Sequence, residues 1–372
     1  MHKVSFLLET ITPLFMSGAD GKTLELRPSA FKGMMRFWWR AVRAESNIEN
    51  LWEEEAKIFG AADEKFGRSK VKVVLKWDRE EFENKKQKDS KNWLRNLNYS
   101  GVRYLLYSVG LQKREFLEPE FEFEITLSSW DTEALKQAVT SLWCLVFLGG
   151  IGTRARRGGG NLKVKQVKEG KEFLSESEIE FNITGEIEEW FRKNWEKIKQ
   201  IIGSQNKKTN YTSLPKGEIF IFDPFNSWEK ALNQIGENFR NFRNRKEPDY
   251  SYIRKYLISG IVPNYIEKIE FGLPLSYRFR SLNNKSAIIE GANKERQRSA
   301  SSLIFKVIEQ GQRFYPLIIV LNKPYLLAEK DRLKIRDTSK VRRQKAKILS
   351  YMATGIINNF LSVLPKCRRI PL

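Results

Sequence analysis

The first half of the chain alternates short apolar runs with longer amphipathic stretches, in an order that predicts β-α-β-β-α-β. Residues 3–12 alternate imperfectly, as a strand covered on one face does. Residues 27–46 predict a first helix, with Pro28 near its start, where proline is tolerated. The regular two-residue alternation of 120–127 predicts a strand with one solvated face. The other predicted elements of this half are a strand over 71–77, a helix that begins at Asp131 and a strand over 162–167.

This order predicts an α+β protein. Two strand–helix–strand halves match the ferredoxin-like pattern, which is also the framework of RRM domains, although the aromatic RNP signatures of an RRM are missing. The polar, lysine-rich residues 79–98 predict a mobile insertion.

The second half repeats the pattern less regularly and predicts a decorated second copy. Its predicted elements are helices at 190–201, 228–245 and 339–361 and strands at 218–222, 267–273, 302–308 and 315–321. We therefore expect tandem ferredoxin-like (RRM-like) domains with insertions, a glycine-rich loop in the first, and a boundary near residue 170 that separates 1–170 from 171–372.

The net charge of the chain indicates the class of partner that it binds. The chain has 66 Lys and Arg against 45 Asp and Glu, a formal net charge of +21 over 372 residues. Such an excess indicates a polyanionic partner, either nucleic acid or an anionic membrane surface. Hydrophobic residues make up 41% of the chain, which is enough for a packed core and argues against a disordered basic tail.

Few residues are available for catalysis or for binding a metal. His2 is the only histidine, and its place beside the first methionine makes Ser-His-Asp, Cys-His and zinc chemistry poor candidates. Turn-like carboxylates such as Asp20 and Asp63 are better interpreted as solvated than as magnesium ligands. Only Cys144 and Cys367 occur, and no long apolar span or signal peptide is visible, so we expect a cytoplasmic protein without disulfides, metal or cofactor.

The first predicted helix carries a basic stripe. Lys32, Arg36, Arg40 and Arg43 share one face, with Trp39 next to it, and no acidic residue lies between Arg27 and Ala44. A stripe of like charges destabilises its own helix, and phosphates would offset that repulsion. A solvated surface is the alternative. We favour RNA contact by the four cations, with Trp39 as a stacking platform.

The glycine-rich segment 149–161 is the second candidate. Its RNA-binding candidates are Gly152, Arg154, Arg156, Arg157 and Gly158. Glycine allows close approach of the backbone, and arginine offers planar donors that match phosphate. A nucleotide-binding loop is disfavoured because neither the GxGxxG pattern nor a following Gly-Lys-Ser/Thr is present. A merely flexible connection would not explain three arginines.

Further basic residues have weaker patterns. Arg296 and Arg298 are RNA-contact candidates, with Lys294, Arg278 and Arg280 as less specific cations. A third cluster comprises Arg332, Lys334, Arg336, Lys340, Arg342, Arg343, Lys345 and Lys347. For this cluster a ligand and a solvated helix end are equally good interpretations.

Five stretches together resemble the RAMP superfamily, and within it the first-numbered Cmr subunit family of type III-B CRISPR effector complexes. They are 12–20 (TPLFMSGAD), 26–41 (LRPSAFKGMMRFWWRA), 149–162, 271–274 (FGLP) and 298–307 (RSASSLIFKV). The resemblance spans both halves and implies tandem ferredoxin-like domains in a ribonucleoprotein built on a CRISPR RNA.

In that family the subunit helps to hold the 3′ region of the CRISPR RNA and to capture single-stranded target RNA, while another subunit cleaves the target. The resemblance therefore implies a non-catalytic role, with CRISPR RNA, target RNA and other Cmr subunits as partners and no membrane. Lys32, Arg36, Arg40 and the three loop arginines become the RNA contacts.

Two alternatives stay open. Some RAMP proteins are metal-independent endoribonucleases, and here Lys32 with Tyr265 or Tyr277 would have to supply the acid–base groups. The basic faces could instead serve chiefly as docking surfaces for sister subunits.

Overall fold

The computed structural model of the chain describes residues 1–293, 297–322, 332–339, 347–349 and 354–372. The strands of the described chain are β1 (His2–Thr10), β2 (Lys72–Lys76), β3 (Lys86–Gln87), β4 (Phe116–Leu117), β5 (Glu122–Ser129), β6 (Leu162–Glu169), β7 (Ser213–Ile221), β8 (Leu275–Phe279), β9 (Lys285–Gly291), β10 (Leu303–Gln310), β11 (Arg313–Asn322), β12 (Leu333–Asp337), β13 (Lys347–Leu349) and β14 (Arg368–Pro371).

The α-helices are α1 (Pro28–Arg43), α2 (Ile48–Phe59), α3 (Arg79–Lys85), α4 (Ser90–Asn96), α5 (Ser100–Leu105), α6 (Thr132–Phe147), α7 (Lys171–Ser177), α8 (Ile187–Ile202), α9 (Trp228–Arg243), α10 (Asp249–Ser259) and α11 (Ile356–Ser362). Short 3-10 helices cover Tyr107–Gly110, Glu267–Phe271 and Arg280–Leu282. No helix in this part of the chain is long and apolar enough to cross a membrane.

The first sheet has the strand order β2-β5-β1-β6. The central strand β1 pairs antiparallel with both β5 and β6. The two long helices α1 and α6 follow β1 and β5, so the order of elements is the predicted β-α-β-β-α-β with insertions. This arrangement is ferredoxin-like and confirms the α+β prediction.

The second sheet repeats the same order with β10-β11-β7-β14. Its first strand, β7, is central and pairs antiparallel with β11 and β14, as β1 does in the first sheet. The fold is therefore a tandem of ferredoxin-like sheets. A third sheet, with the order β13-β12-β9-β8, lies within the insertions of the second copy.

Packing divides the chain into two compact units. One comprises Met1–Glu237, Ile304–Asn322 and Lys366–Leu372 and contains both ferredoxin-like sheets. The other comprises Asn238–Leu303 and Lys323–Pro365 and contains the third sheet in its described part. A domain boundary near residue 170 stays a prediction.

Residues 79–98, where a mobile insertion stays a prediction, hold α3 and α4, whose N-termini are capped by the carboxylates of Asp78 and Asp89. Two other segments differ from the predictions. Residues 267–271 form a 3-10 helix rather than a strand. In place of one helix over 339–361, the described residues form β13 and α11, and a glycine with positive φ, Gly355, begins α11.

The core beneath the first sheet is rich in aromatic side chains. Helix α1 buries Phe31, Met35, Trp38 and Trp39, and Trp143 of α6 stacks on Trp190 of α8 with ring centroids 5.3 Å apart. This packing fixes α1 and α6, the two helices that position the candidate interface.

Candidate nucleic-acid interface

The basic stripe of α1 faces the acidic side of α2. The Glu55 side chain, only 3% exposed, accepts hydrogen bonds from Arg36 Nε and from Arg40 Nη1, the latter at 2.6 and 2.7 Å. Two guanidinium groups thus share one buried carboxylate. Glu55 thus compensates part of the positive charge of the stripe from within the protein. A phosphate would have to compete with Glu55 for these donors.

The ends of the stripe are also engaged. Lys32 donates to the Val71 carbonyl at 3.2 Å, and burial, helped by the charge of Arg36, lowers the pKa of its ammonium group. Arg43 pairs with Glu54 at 2.8 Å and donates to the Ile202 carbonyl at 3.0 Å, at the C-terminus of α8. A cation there satisfies otherwise unpaired carbonyl groups and complements the helix dipole.

Trp39 cannot act as the stacking platform that the sequence predicted. Its side chain is 1% exposed, and its indole Nε1 donates to Gln137 at 2.7 Å. The indole lies in the core between α1 and α6, where no base has access to its ring. That prediction was wrong because the apolar face of α1 is wider than the spacing of Phe31, Met35 and Trp38 indicated.

The glycine-rich loop is held on both sides by backbone hydrogen bonds. Thr153 N–H donates to the Phe15 carbonyl at 2.6 Å, and Gly160 N–H donates to the Pro13 carbonyl at 2.9 Å. Gly152 has φ +88°, and a Cβ there would lie 2.5 Å from the Phe15 carbonyl oxygen. Gly158 has φ +84° and lies against Leu232. These glycines therefore permit close packing of the protein against itself. The sequence had instead predicted that they allow the backbone to approach RNA.

Each arginine of the loop lies over a different aromatic ring. The guanidinium carbons of Arg154, Arg156 and Arg157 are 5.0, 5.2 and 5.0 Å from the ring centroids of Tyr107, Phe37 and Phe305, respectively. Such cation–π stacks fix the plane of a guanidinium group. Arg154 in addition donates from Nε to the Leu105 carbonyl at 2.8 Å. The loop thus presents oriented cations.

Burial does not remove the positive charge of Arg156. It lowers the pKa of Arg156 to about 10, which leaves the guanidinium group protonated at neutral pH. A charged group in a low-dielectric environment interacts more strongly with an anion than the same group in water does. Arg156 thus keeps the charge that an anionic ligand would require.

Strand β10 supports the loop from the other side. Phe305 N–H donates to the Arg156 carbonyl at 3.1 Å, and Val307 N–H donates to Asn161 Oδ1 at 2.8 Å. The fully buried Lys306 donates from Nζ to the Gly149 carbonyl at 2.7 Å, and burial lowers its pKa to about 7. The ammonium group of Lys306 joins the end of α6 to β10.

The structure brings the loop and α1 together only in part. Phe37 and Trp38 touch the loop, since a Cβ on Gly149 would lie 2.7 Å from Trp38 Nε1. The cations of α1 face α2 instead. The sequence missed the aromatic partners Tyr107, Phe37 and Phe305, because contacts between residues far apart in the chain have no local signal.

Other predicted cations fall elsewhere. Arg298 is exposed, whereas Lys294 and Arg296 lie outside the described residues. In the third cluster, Lys334 and Arg336 on β12 pair with Glu290 at 3.4 and 3.3 Å. Lys340, Arg342, Arg343 and Lys345 are outside the described residues.

The two tyrosines considered for acid–base chemistry are poorly tuned to act as general bases. Tyr277 donates to the buried carboxylate of Asp249 at 3.0 Å, and burial followed by that charge raises its pKa. The hydrogen bond from Tyr252 raises the pKa of Tyr265. A raised pKa disfavours the phenolate that a general base requires. Within the described residues no group of three or more His, Cys, Asp or Glu side chains is placed to hold a metal ion.

Comparisons with known proteins agree with this architecture. A family model described as the RAMP superfamily matches residues 7–163. The chain is 30% identical over 312 residues to the CRISPR system Cmr subunit Cmr1-1 of Pyrococcus furiosus, covering 79% of this chain and 80% of that protein. It is 37% identical over 193 residues to subunit Cmr1-2 of the same organism, covering 45% of this chain and 98% of that protein.

Solved structures share the fold. The apo crystal structure of Cmr1 from Pyrococcus furiosus superposes with a TM-score of 0.66 at 21% identity, covering 99% of this chain and 98% of that chain. A chain of the cryo-EM structure of the Type III-B Cmr-beta bound to cognate target RNA gives 0.54 at 16% identity, covering 86% and 94%. At these identities the likeness supports the fold alone.

Proposed function

Since this chain belongs to the RAMP superfamily, and within it to the family of Cmr1 subunits of CRISPR systems, we propose that it is a non-catalytic RNA-binding subunit of a type III-B CRISPR-Cas ribonucleoprotein. Its partners are a CRISPR RNA, a single-stranded target RNA and other Cmr subunits, and it acts in the cytoplasm. The subunit holds the 3′ region of the CRISPR RNA and helps to capture the target during antiviral defence.

The observation that carries this proposal is the geometry of the glycine-rich loop. Three arginines stack on three aromatic rings within a protein of net charge +21. Single-stranded nucleic acids are bound by cationic surfaces interleaved with aromatic side chains. The curated relatives support the same role, because both are named as Cmr subunits of a CRISPR system.

The proposed contacts lie chiefly in the glycine-rich loop. Arg154, Arg156 and Arg157 contact RNA phosphates, while Gly152 and Gly158 shape the loop that carries them. Arg298 and Arg296 are further proposed contacts. Lys32, Arg36, Arg40 and Arg43 contribute a positive field, with their strongest hydrogen bonds already made inside the protein.

Binding of single-stranded RNA by the full chain tests the proposal. Fluorescence anisotropy with a labelled oligouridine in chelator should give saturable binding. The variant R154Q/R156Q should bind at least about tenfold more weakly, since two charge-assisted phosphate contacts are lost. A control variant, R68Q/R192Q, removes the same charge from two arginines that lie outside the loop. Equal weakening in both variants would mean that the loop has no special role.

The endoribonuclease alternative has a separate readout. Labelled CRISPR repeat RNA incubated with the protein in chelator should stay intact on a gel. Specific fragments that disappear in a Lys32→Ala variant would contradict the non-catalytic assignment.

Docking to sister subunits is distinguished from RNA binding by measuring the affinity for the other subunits and the affinity for isolated RNA. If the basic faces serve chiefly as docking surfaces, R154Q/R156Q should weaken assembly with the other subunits while its affinity for isolated RNA stays that of the wild type. The RNA-binding proposal expects the reverse.

A further inference from the structure

The insertion between β2 and β5 carries a surface that the sequence analysis did not assign. Residues 88–114 contain six basic side chains and a single acidic one, Asp89. This segment comprises α4, α5 and the 3-10 helix Tyr107–Gly110. Its charge is therefore concentrated on a folded element.

Three of these cations line one pocket. The open pocket has a volume of about 250 Å³ and is lined by Lys91, Leu94, Arg95, Arg103, Tyr107 and Gly110. Arg95 and Arg103 are exposed, and 56% of the Tyr107 side chain is exposed. The pocket therefore combines a partly exposed aromatic ring with exposed cations.

These cations differ from the stripe on α1. Among the residues that the structure describes, Lys91, Arg95 and Arg103 form no ion pair. Arg36, Arg40 and Arg43 are by contrast all bound to carboxylates of α2. The donors of the pocket are available to an external anion.

The elements that line the pocket are joined to their neighbours by hydrogen bonds and close backbone contacts. Ser90 Oγ donates to the Val109 carbonyl at 2.7 Å and joins α4 to the 3-10 helix. Helix α5 lies directly on α9, where Gly101 N–H donates to Asn233 Oδ1 at 2.8 Å. A Cβ on Gly236 would lie 2.5 Å from the Gly101 carbonyl oxygen. A preorganised surface loses little conformational entropy when a ligand binds.

The pocket continues into the glycine-rich loop. Arg154 lies over the Tyr107 ring at 5.0 Å and donates to the Leu105 carbonyl, at the end of α5. The ring of Tyr107 is thus shared between the loop and the pocket. The loop and the pocket therefore adjoin each other at this ring.

We propose that this pocket is a nucleotide subsite for single-stranded RNA. A base stacks on Tyr107, and Lys91, Arg95 and Arg103 bind the adjoining phosphates. The ligand class follows from the combination of ring and cations, since stacking serves every base and the cations follow the backbone. This inference rests on the proposed RNA-binding function and extends it to a segment outside the loop.

Three variants of the full chain test the subsite by anisotropy with labelled oligouridine. R95Q/R103Q removes two phosphate donors and should reduce the salt dependence of log Kd by about 1.4 in slope. Tyr107→Ala should weaken binding about tenfold, the usual effect of losing one stacked base, whereas Tyr107→Phe should bind like the wild type. R68Q/R192Q controls for net charge, and circular dichroism melting establishes that each variant is folded.

Crosslinking supplies a second readout that needs no substitution. RNA containing 4-thiouridine should crosslink to peptides that cover residues 91–110, as identified by mass spectrometry. If the wild type binds RNA while these variants bind equally well and no crosslink maps to this segment, the subsite is refuted and the proposed function stands. If the wild type does not bind RNA at all, the proposed function itself fails.

Discussion

A single carboxylate, Glu55, pairs with two cations of the basic stripe, Arg36 and Arg40. Its side chain is 3% exposed, whereas those of Arg36 and Arg40 are 32% and 35% exposed. If Glu55 were absent, the two arginines would still contact water. If the arginines were absent, the Glu55 carboxylate would be a buried charge without a partner. Removing Arg36 and Arg40 should therefore lower the free energy of unfolding, even though it relieves the like-charge repulsion along α1.

The variant R36Q/R40Q should lose about 3 kcal/mol of unfolding free energy, because it leaves a buried charge without a partner. The triple variant R36Q/R40Q/E55Q should regain most of that loss. Urea unfolding of the three proteins measures both differences. A triple variant no more stable than the double variant would show that Glu55 is not the cause.

Lys306 gives the stability of the protein a dependence on pH. Its pKa is about 7 in the folded chain against an ordinary value of 10.5. Between these values the unfolded chain binds a proton that the folded chain does not, so the unfolding free energy rises with pH. Below about pH 7 both states are protonated, and the full cost of the buried charge is present.

A Lys306→Met variant should lack this dependence. Between about pH 7 and pH 10 the wild type should gain stability relative to the variant, with a slope approaching about 1.4 kcal/mol per pH unit. Urea unfolding at several pH values measures the difference. Parallel curves for the two proteins would mean that Lys306 titrates normally.

At the scale of elements, alternation predicted the first sheet within a few residues. Strands β1, β5 and β6 and helices α1 and α6 have strong local periodicity, which packing on one core face enforces. Helix α2 was missed, and with it the partners of the stripe. Its Glu54 and Glu55 follow α1 closely in sequence but lie outside it, so no pattern within α1 could reveal them.

The glycine-rich loop was located correctly, but the purpose of its glycines was not. Their positive φ angles serve contacts with Pro13, Phe15 and Leu232. Such contacts join segments that are far apart in the chain. Sequence spacing can mark a glycine as necessary without identifying what approaches it.

Two glycine substitutions should have opposite effects. Gly160 has φ +62°, and a Cβ there would overlap the Ile151 carbonyl oxygen, so Gly160→Ala should cost more than about 1 kcal/mol. Gly33 lies within α1 with no atom near its Cβ position, so Gly33→Ala should stabilise by about 0.5–1 kcal/mol. Thermal melting compares the stability of the two variants. A Gly160→Ala variant that melts like the wild type would mean that the loop accommodates a Cβ at little cost in free energy.

At the scale of the whole molecule, two sheets share one strand order. The second sheet uses β7, β10, β11 and β14 as the first uses β1, β2, β5 and β6. The insertions differ between the copies, and they carry the third sheet in one and the basic pocket in the other. The common framework was predictable from element order, whereas the insertions follow no shared pattern.

The net charge of +21 should not all act on RNA. The five proposed arginine contacts and the three pocket cations bind at most about eight phosphates, so the slope of log affinity against log salt should be no steeper than about −6. Titration between about 50 and 200 mM salt measures it. A slope near −10 would indicate diffuse binding over the whole surface.

Strand β14 covers an edge of β7 with only four residues. Leu372 N–H also donates to the Gly217 carbonyl at 2.9 Å, next to the fully buried Ile370. Deletion of residues 368–372 would expose this edge of β7 and leave a row of unpaired N–H and C=O groups open to strand addition by another copy. A variant designed for purification or crystallisation should therefore keep these five residues intact.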